Sequence, residues 1–452
     1  MKLWVFGSLL GIIAALSPGS VFVLLLVAGT CAALRRLAAQ EDRAFLIRWF
    51  LIGFSVRAVL SLGLDLGSCI VEGYPPMKRA PVEYWNLGII DKTRNYMRMG
   101  DSDYYSERGY CMAQYVNGVS EPAILRRIQD YGHHGYVFVI GWFYYLFGFS
   151  PVSVKWVNGW IGALLILPLF LLAKSCFQST IARWTAGLVA LFPTLIFWST
   201  TNLKEPLFFL FLGFLFLLFQ AIRVGHGFRR WVAYPLLLLL LFRALLAFGR
   251  QEFLVGLAAG LTLVCCLEWC LRKRWYVPLV LMAVGMVHFA PPVISSGLRL
   301  AVYRHIGYVG GTGMVYRYLP DRFYPYTTPA PTQVLVQRIP NAIMHYLLEP
   351  FPSRAGDWFV ALLVPQMILW YFLLPLALIG AVAGLSWNTW NCAFLVAAFV
   401  VWTLMGALSN ANIGTLIRLR DMVTPIVLLF AAAGLWVVAR GKEDFCRRPV
   451  KP

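Results

Sequence analysis

The chain has 452 residues, of which 60% are hydrophobic, 15% aromatic and only 13% charged. A soluble domain is about 45–50% apolar and about 25% charged, so this composition excludes a soluble enzyme, a disordered chain and a fibrous one, and points to a polytopic membrane protein. Lys and Arg total 39 against 20 Asp and Glu, a net charge of +19; in a membrane protein such an excess first means cytoplasmic loop anchors, not nucleic acid.

Apolar runs of roughly 20 residues are needed to cross about 30 Å of hydrocarbon. In chain order they fall at 19–34, 44–70, 152–173, 181–200, 204–223, 231–248, 251–271, 275–296, 358–385, 389–408 and 420–440. Residues 3–17 are apolar too, and Pro18-Gly19 breaks them from the next run. Behind Lys2 they read as a short extra helix or as a cleavable signal peptide. The expected fold is an all-α polytopic membrane protein with about 11–12 transmembrane helices. It divides into N-terminal apolar helices and a loop at 1–43, a transmembrane core at 44–440, and a tail at 441–452.

Short loops carry Arg35, Arg36 and Arg43, then Lys174 and Arg183, then Arg223, Arg229 and Arg230, then Arg272, Lys273 and Arg274; the tail carries Arg440, Lys442, Arg447, Arg448 and Lys451. Counting spans places all of them on one face, which the positive-inside trend makes cytoplasmic. The expected location is the inner (plasma) membrane. The outer face receives the large loops 72–151 and 297–357, the turns at 200–204 and 248–252, and the segment 409–420. The aromatic stretch 135–149 suits an interfacial helix there. Arg250, Arg304, Arg317, Arg418 and Arg420 sit on this wrong side and need another explanation. The nine cysteines have no metal or redox spacing; Cys69 and Cys111 are a candidate outer pair.

Four outer constellations carry chemistry. Asp101 and Asp103, in Gly100-Asp101-Ser102-Asp103-Tyr104-Tyr105, place two carboxylates one residue apart, suited to a general base or to metal ligands, or to a solvated turn. Lys204-Glu205-Pro206 opens a helix: Glu205 and Pro206 suit a first turn, whereas Lys204 opposes the helix dipole and fits a nearby anion. Arg250-Gln251-Glu252 occupies the next turn, with Arg243 seven residues earlier on about the same face. Arg418 and Arg420, in the segment 410–421, offer guanidinium forks for phosphate oxygens or long side chains that snorkel. In the second span, Arg57 and Asp65 are spaced for a salt bridge. The loop 303–326 is rich in Tyr, whose faces stack on sugars and on anything else apolar.

In order along the chain, these features resemble the GT-C superfamily of integral membrane glycosyltransferases. The resemblance rests on Gly100-Asp101 with Tyr104-Tyr105, the stretch ending Leu146-Phe147-Gly148-Phe149-Ser150, Val157-Asn158, the segment LKEPLF at 203–208, RQE at 250–252 and NIGTLIRLRDMVTP at 412–425. It implies a polyprenyl-phosphate-linked sugar as donor and transfer on the periplasmic side to a glycan, lipid or protein acceptor, for cell-surface polysaccharide or glycoconjugate synthesis. It implies hexosyl or pentosyl transfer with inversion, Asp101 or Asp103 as base, and Lys204, Arg250, Arg418 and Arg420 around the lipid phosphate, with Glu205 and Glu252 beside them. No cofactor is certain. A divalent cation on the acid pair is a candidate, although hard cations want more than two oxygens. The rival readings are an O-antigen-type polysaccharide polymerase or ligase working through outer arginines, and a lipid-linked glycan flippase or transporter, for which Arg57 and Arg243 speak.

Overall fold

The computed structural model describes residues 17–72, 100–119, 135–224, 228, 232–249, 251–273, 298–307, 309, 314–324, 331–354 and 358–440. Nearly all of these residues are helical. The elements are α1 (Pro18–Leu37), α2 (Gln40–Glu72), α3 (Gly100–Val116), α4 (Gly135–Phe147), α5 (Pro151–Leu164), α6 (Ile166–Cys176), α7 (Ser179–Leu191), α8 (Pro193–Ser199), α9 (Glu205–Val224), α10 (Tyr234–Ala247), α11 (Gln251–Lys273), α12 (Thr332–Leu348), α13 (Trp358–Trp387), α14 (Thr389–Ser409), α15 (Ile413–Asp421) and α16 (Thr424–Arg440). Residues 298–307 are also helical. Extended pairing among the described residues is limited to an isolated bridge between Val315 and Asn412.

Six stretches are long and apolar enough to cross a membrane: α1, Gln40–Leu64 of α2, Pro151–Cys176 across α5 and α6, Glu205–Arg223 of α9, Leu363–Trp387 of α13, and α14. The pairs α7–α8 and α15–α16 are bent by 52° and 60° and raise the number to eight if each is one span. The chain is a multi-pass membrane protein. The expected 11–12 spans exceed this count, which covers the described residues alone: the runs 3–17 and 275–296 lie outside them. The expected runs at 231–248 and 251–271 form α10 and α11.

Contacts divide the chain into two units, residues 1–171 with 186–249, and residues 172–185 with 250–452. In the first, α5 packs on α1, α2, α8 and α9, α3 packs on α4, and α9 on α10. Two helices begin with the same pattern, Ser17-Pro18-Gly19-Ser20 at α1 and Ser150-Pro151-Val152-Ser153 at α5, each with proline where a missing N–H costs nothing. The four hydroxyls form one cluster: Ser17 to Ser20 at 2.9 Å, Ser20 to Ser153 at 3.0 Å, Ser153 to Ser150 at 2.8 Å and Ser150 to Ser17 at 3.0 Å, with Ser17 also meeting Ser153 across it. Pro193, after an extended Phe192, breaks α7 from α8. Such a break strands carbonyls of the last turn, and Arg57 of α2 reaches one of them. It is 1% exposed and donates to Ala190 O, Gly53 O and Ser199 Oγ, each at 2.9 Å. Gly162 makes the room, since a Cβ there would lie 2.9 Å from Arg57 Nε and 2.7 Å from Ser199 Oγ. The side chain of Asp65, its expected partner, lies outside the described residues.

In the second unit α14 packs on α11, α12, α13 and α15, while α13 lies along α16. The α13–α16 crossing is backbone against backbone. A Cβ on Gly380 would fall 1.9 Å from Phe430 O, and one on Gly434 would fall 1.9 Å from Leu376 O. Helices this close gain dispersion contacts that side chains would prevent, the usual device of small residues in membrane bundles.

Candidate functional site

In the first unit the acid-bearing turn and the lysine turn meet. Asp101 and Asp103 occupy the first turn of α3 and flank Ser102; their side chains lie outside the described residues. The buried Ser102 Oγ accepts a 2.9 Å hydrogen bond from the backbone N–H of Asn202. Two residues on, Lys204 is 9% exposed, and its Nζ donates to Phe248 O at 2.7 Å and stands 6.0 Å from the centre of the Tyr105 ring. A buried ammonium needs such partners because desolvating it is costly. Phe248 precedes Gly249, whose φ of +95° lets the chain turn at the end of α10. Arg250, next in sequence, lies outside the described residues, as does the side chain of Glu252 in the first turn of α11. Glu205, 1% exposed, opens α9.

The lysine turn is held from behind. Asn158 Nδ2 points at Thr201 O (2.6 Å), Leu203 O (2.9 Å) and the Tyr136 hydroxyl (2.7 Å). Tyr136 meets Tyr105 edge-on at 5.3 Å, and Ser106 bonds the Tyr144 hydroxyl at 2.7 Å. Thus α3 and α4 present serines and tyrosines at helical spacing to one buried polar cluster. The close seat of α4 needs glycine at its start: a Cβ on Gly135 would lie 2.7 Å from Ala247 O. Sequence reading picked out Asp101, Asp103, Lys204 and Glu205 but missed Ser102, whose hydroxyl joins them; its only sequence signal is its place between two acids. Asn202 Oδ1 is buried without a hydrogen-bond partner among the described residues.

In the second unit the Arg-rich segment and the Tyr-rich loop are parts of one interior. Arg420 is 1% exposed; NH1 donates to Glu349 O at 2.6 Å and Leu347 O at 3.1 Å, NH2 points at Met367 Sδ, and the guanidinium lies 5.1 Å from the Trp370 ring. Contact with a lipid phosphate would require giving up these carbonyls. Arg418 is half-buried on the same helix. Arg317 pairs with Asp321 at 3.2 Å. Tyr316 and Tyr318 are 1% exposed and donate to Ala407 O and Leu408 O, so these two rings are packed inside the unit and not on display for a sugar.

His305 stands among them, fully buried. Nδ1 lies 2.8 Å from Asn410 O, which can only accept, so Nδ1 carries the hydrogen and Nε2 accepts from the Tyr324 hydroxyl at 3.3 Å. Burial pushes its pKa down to about 4; the bond to Asn410 opposes this, and the nearby His345 adds to it. Burial likewise pushes the Tyr316, Tyr318 and Tyr324 hydroxyls upward, so they stay protonated. Neither His305 nor His345 stood out in the sequence, because a lone histidine in an apolar stretch carries no spacing signal. Compared with known proteins, the chain matches no family model and no curated sequence.

Proposed function

We propose that the protein is a multi-pass membrane glycosyltransferase of GT-C type, moving a sugar from a polyprenyl-phosphate donor to a glycan, lipid or protein acceptor on the outer side of the membrane. The observation that carries this reading is the hydrogen bond from Asn202 N–H to Ser102 Oγ. It joins the helix start bearing Asp101 and Asp103 to the turn bearing Lys204 and Glu205, so residues about 100 apart in sequence share one neighbourhood. Acid and cation at one place are what an inverting transfer needs. A carboxylate of Asp101 or Asp103 takes the proton of the acceptor hydroxyl. That oxygen attacks the anomeric carbon, and the bond to phosphate breaks with its electron pair on the leaving oxygen. Lys204 lies against charge that develops there, where electrostatic stabilisation contributes most. A divalent cation on the acid pair belongs to the same reading as a candidate cofactor. The buried Asn202 Oδ1, without a donor among the described residues, adds support.

The test is transfer in liposomes from a labelled polyprenyl-phosphate sugar. Wild type is expected to form a new glycosidic linkage, and Asp101→Asn with Asp103→Asn is expected to lower the rate by about 100-fold or more. Full activity in the double variant would remove the base assignment. Movement of the labelled lipid across the bilayer without a new linkage would establish the flippase reading instead. Of the two residues that favour a transporter, Arg57 and Arg243, Arg57 is engaged by Ala190 O, Gly53 O and Ser199.

A further inference from the structure

Two of the free thiols among the described residues are partners of one another. Cys176 closes α6 and is 1% exposed; Cys392, in the first turn of α14, is 0% exposed. Cys176 Sγ donates to Asn391 O at 3.4 Å and is hydrogen-bonded to the Cys392 thiol. The hydrogen of Cys176 goes to the carbonyl, so the hydrogen between the sulfurs is that of Cys392. A second observation places the same residues together. Gly384 of α13 is their common floor: a Cβ there would lie 2.9 Å from Cys392 Sγ and 2.9 Å from Phe177 Cζ, and Phe177 follows Cys176. Cys176 and Asn391 are 215 residues apart in sequence, so no local period brings the thiols together.

The surrounding contacts fix this corner. Asn388 and Asn391 each donate from Nδ2 to Ser175 O, at 3.2 and 3.1 Å. Phe177 meets Phe430 edge-on at 6.2 Å, and Trp184 meets Trp436 at 5.6 Å. These contacts hold residues 172–185 in the second unit. The sulfurs are buried but not deep. Ser175 is exposed, and its Oγ lies 3.9 Å from Cys176 Sγ; the exposed Thr389 opens α14 one turn before Cys392. A small oxidant therefore has about one side chain to pass. Small apolar residues would fill this corner equally well. What two thiols in contact add is the capacity to become one disulfide, with no search for a partner.

We propose that Cys176 and Cys392 form a reversible oxidation site, at which a hydroperoxide converts the two thiols into a disulfide that ties the end of α6 to the start of α14. Both S–H bonds break and one S–S bond forms, so the two sulfurs together lose two electrons. The hydroperoxide takes up these electrons and both protons as its O–O bond breaks, and it leaves as an alcohol and water. Two molecules of a small thiol restore the pair by exchange and leave as their own disulfide. The proposed orientation sets this corner on the cytoplasmic side, where thiols are kept reduced, so the disulfide is a response to oxidant and not a permanent staple. The site belongs to the second unit alone and stands whether or not the acid-bearing turn transfers sugar.

The test uses the full chain in lipid nanodiscs, reduced, freed of reductant and treated with cumene hydroperoxide. The protein is then unfolded in N-ethylmaleimide, digested without reductant and read by mass spectrometry. A peptide linking Cys176 to Cys392 is expected to rise at least several-fold over untreated protein and to vanish after dithiothreitol. Cys266, exposed on α11, reports that the oxidant reached the protein and is expected to join neither of them. Cys176→Ala is expected to leave Cys392 open to maleimide after the same treatment. The linked peptide is read on wild type, so the outcome does not depend on the variant folding. Maleimide on both Cys176 and Cys392 once Cys266 is oxidised, sulfinic acid at either without a link, or a link from either to another cysteine overturns the proposal. Sugar transfer is read separately in liposomes, so loss of one reading leaves the other standing.

Discussion

His305 shows how one buried side chain sets a pH limit. Its pKa falls to about 4 in the fold, against about 6.5 for an unfolded chain. Between these values the unfolded chain binds the proton and the folded one does not, so protonation favours unfolding. The contribution to stability is fully present above about pH 6.5 and is lost as pH falls toward 4, amounting to roughly 3 kcal/mol for a shift of this size. The thermal midpoint in detergent should therefore stay level from pH 8 to 7 and drop below pH 6. His305→Asn, which keeps a donor toward Asn410 O, should show a shallower drop than wild type; equal slopes would remove His305 as the cause. None of this was legible in the sequence. Burial and tautomer depend on Asn410 and Tyr324, which lie 105 and 19 residues away. Lys204 was legible as an anomaly, a cation at a helix start, yet its immediate partner is a carbonyl, Phe248 O, and backbone acceptors leave no mark on a sequence.

At the level of elements, the apolar runs announced most helices. The run 181–200 reads as a single span, whereas the structure breaks it at Pro193 and bends there by 52°. The other bend, 60° between α15 and α16, sits inside a stretch read as Arg-rich loop followed by span. The sequence showed the charges of Arg418 and Arg420 but not that they ride on a separate nine-residue helix. The α13–α16 crossing was invisible, because two glycines in apolar runs look like any others. Gly434→Val should force Leu376 and its carbonyl away and destabilise the pair by about 3 kcal/mol or more, given overpacking costs of about 1–3 kcal/mol for milder insertions. Gly29→Val in α1, where a Cβ meets nothing within 4 Å, is the control and should be near neutral. Detergent-resistant folded fractions after heating would separate the two, and equal loss would contradict the close crossing.

Across the whole molecule, composition was the most informative reading, since it set the membrane class without any motif. The charge distribution carries the proposed orientation, with the tail 441–452 on the cytoplasmic side and the loop 297–357 outside. A green fluorescent protein fused after residue 452 should fluoresce, and alkaline phosphatase fused within 297–313 should be active. The opposite pattern in both would invert the protein and place the Asp101–Lys204 neighbourhood on the other side. The division into two units was not legible at all. Residues 172–185 group with the C-terminal half although the chain around them belongs to the N-terminal half, a consequence of long-range packing that no local period encodes.

The four serine hydroxyls between α1 and α5 have a property that distances alone do not convey. Each has a single hydrogen, while five contacts join the four oxygens, because Ser17 also meets Ser153 across the cluster. Four hydrogens cannot fill five contacts at once, so more than one arrangement of them suits the same oxygen positions while the backbone of Ser17–Ser20 and Ser150–Ser153 stays still. The joint between these two helices is thus fixed in its heavy atoms by a hydrogen-bond set that no single arrangement of protons completes.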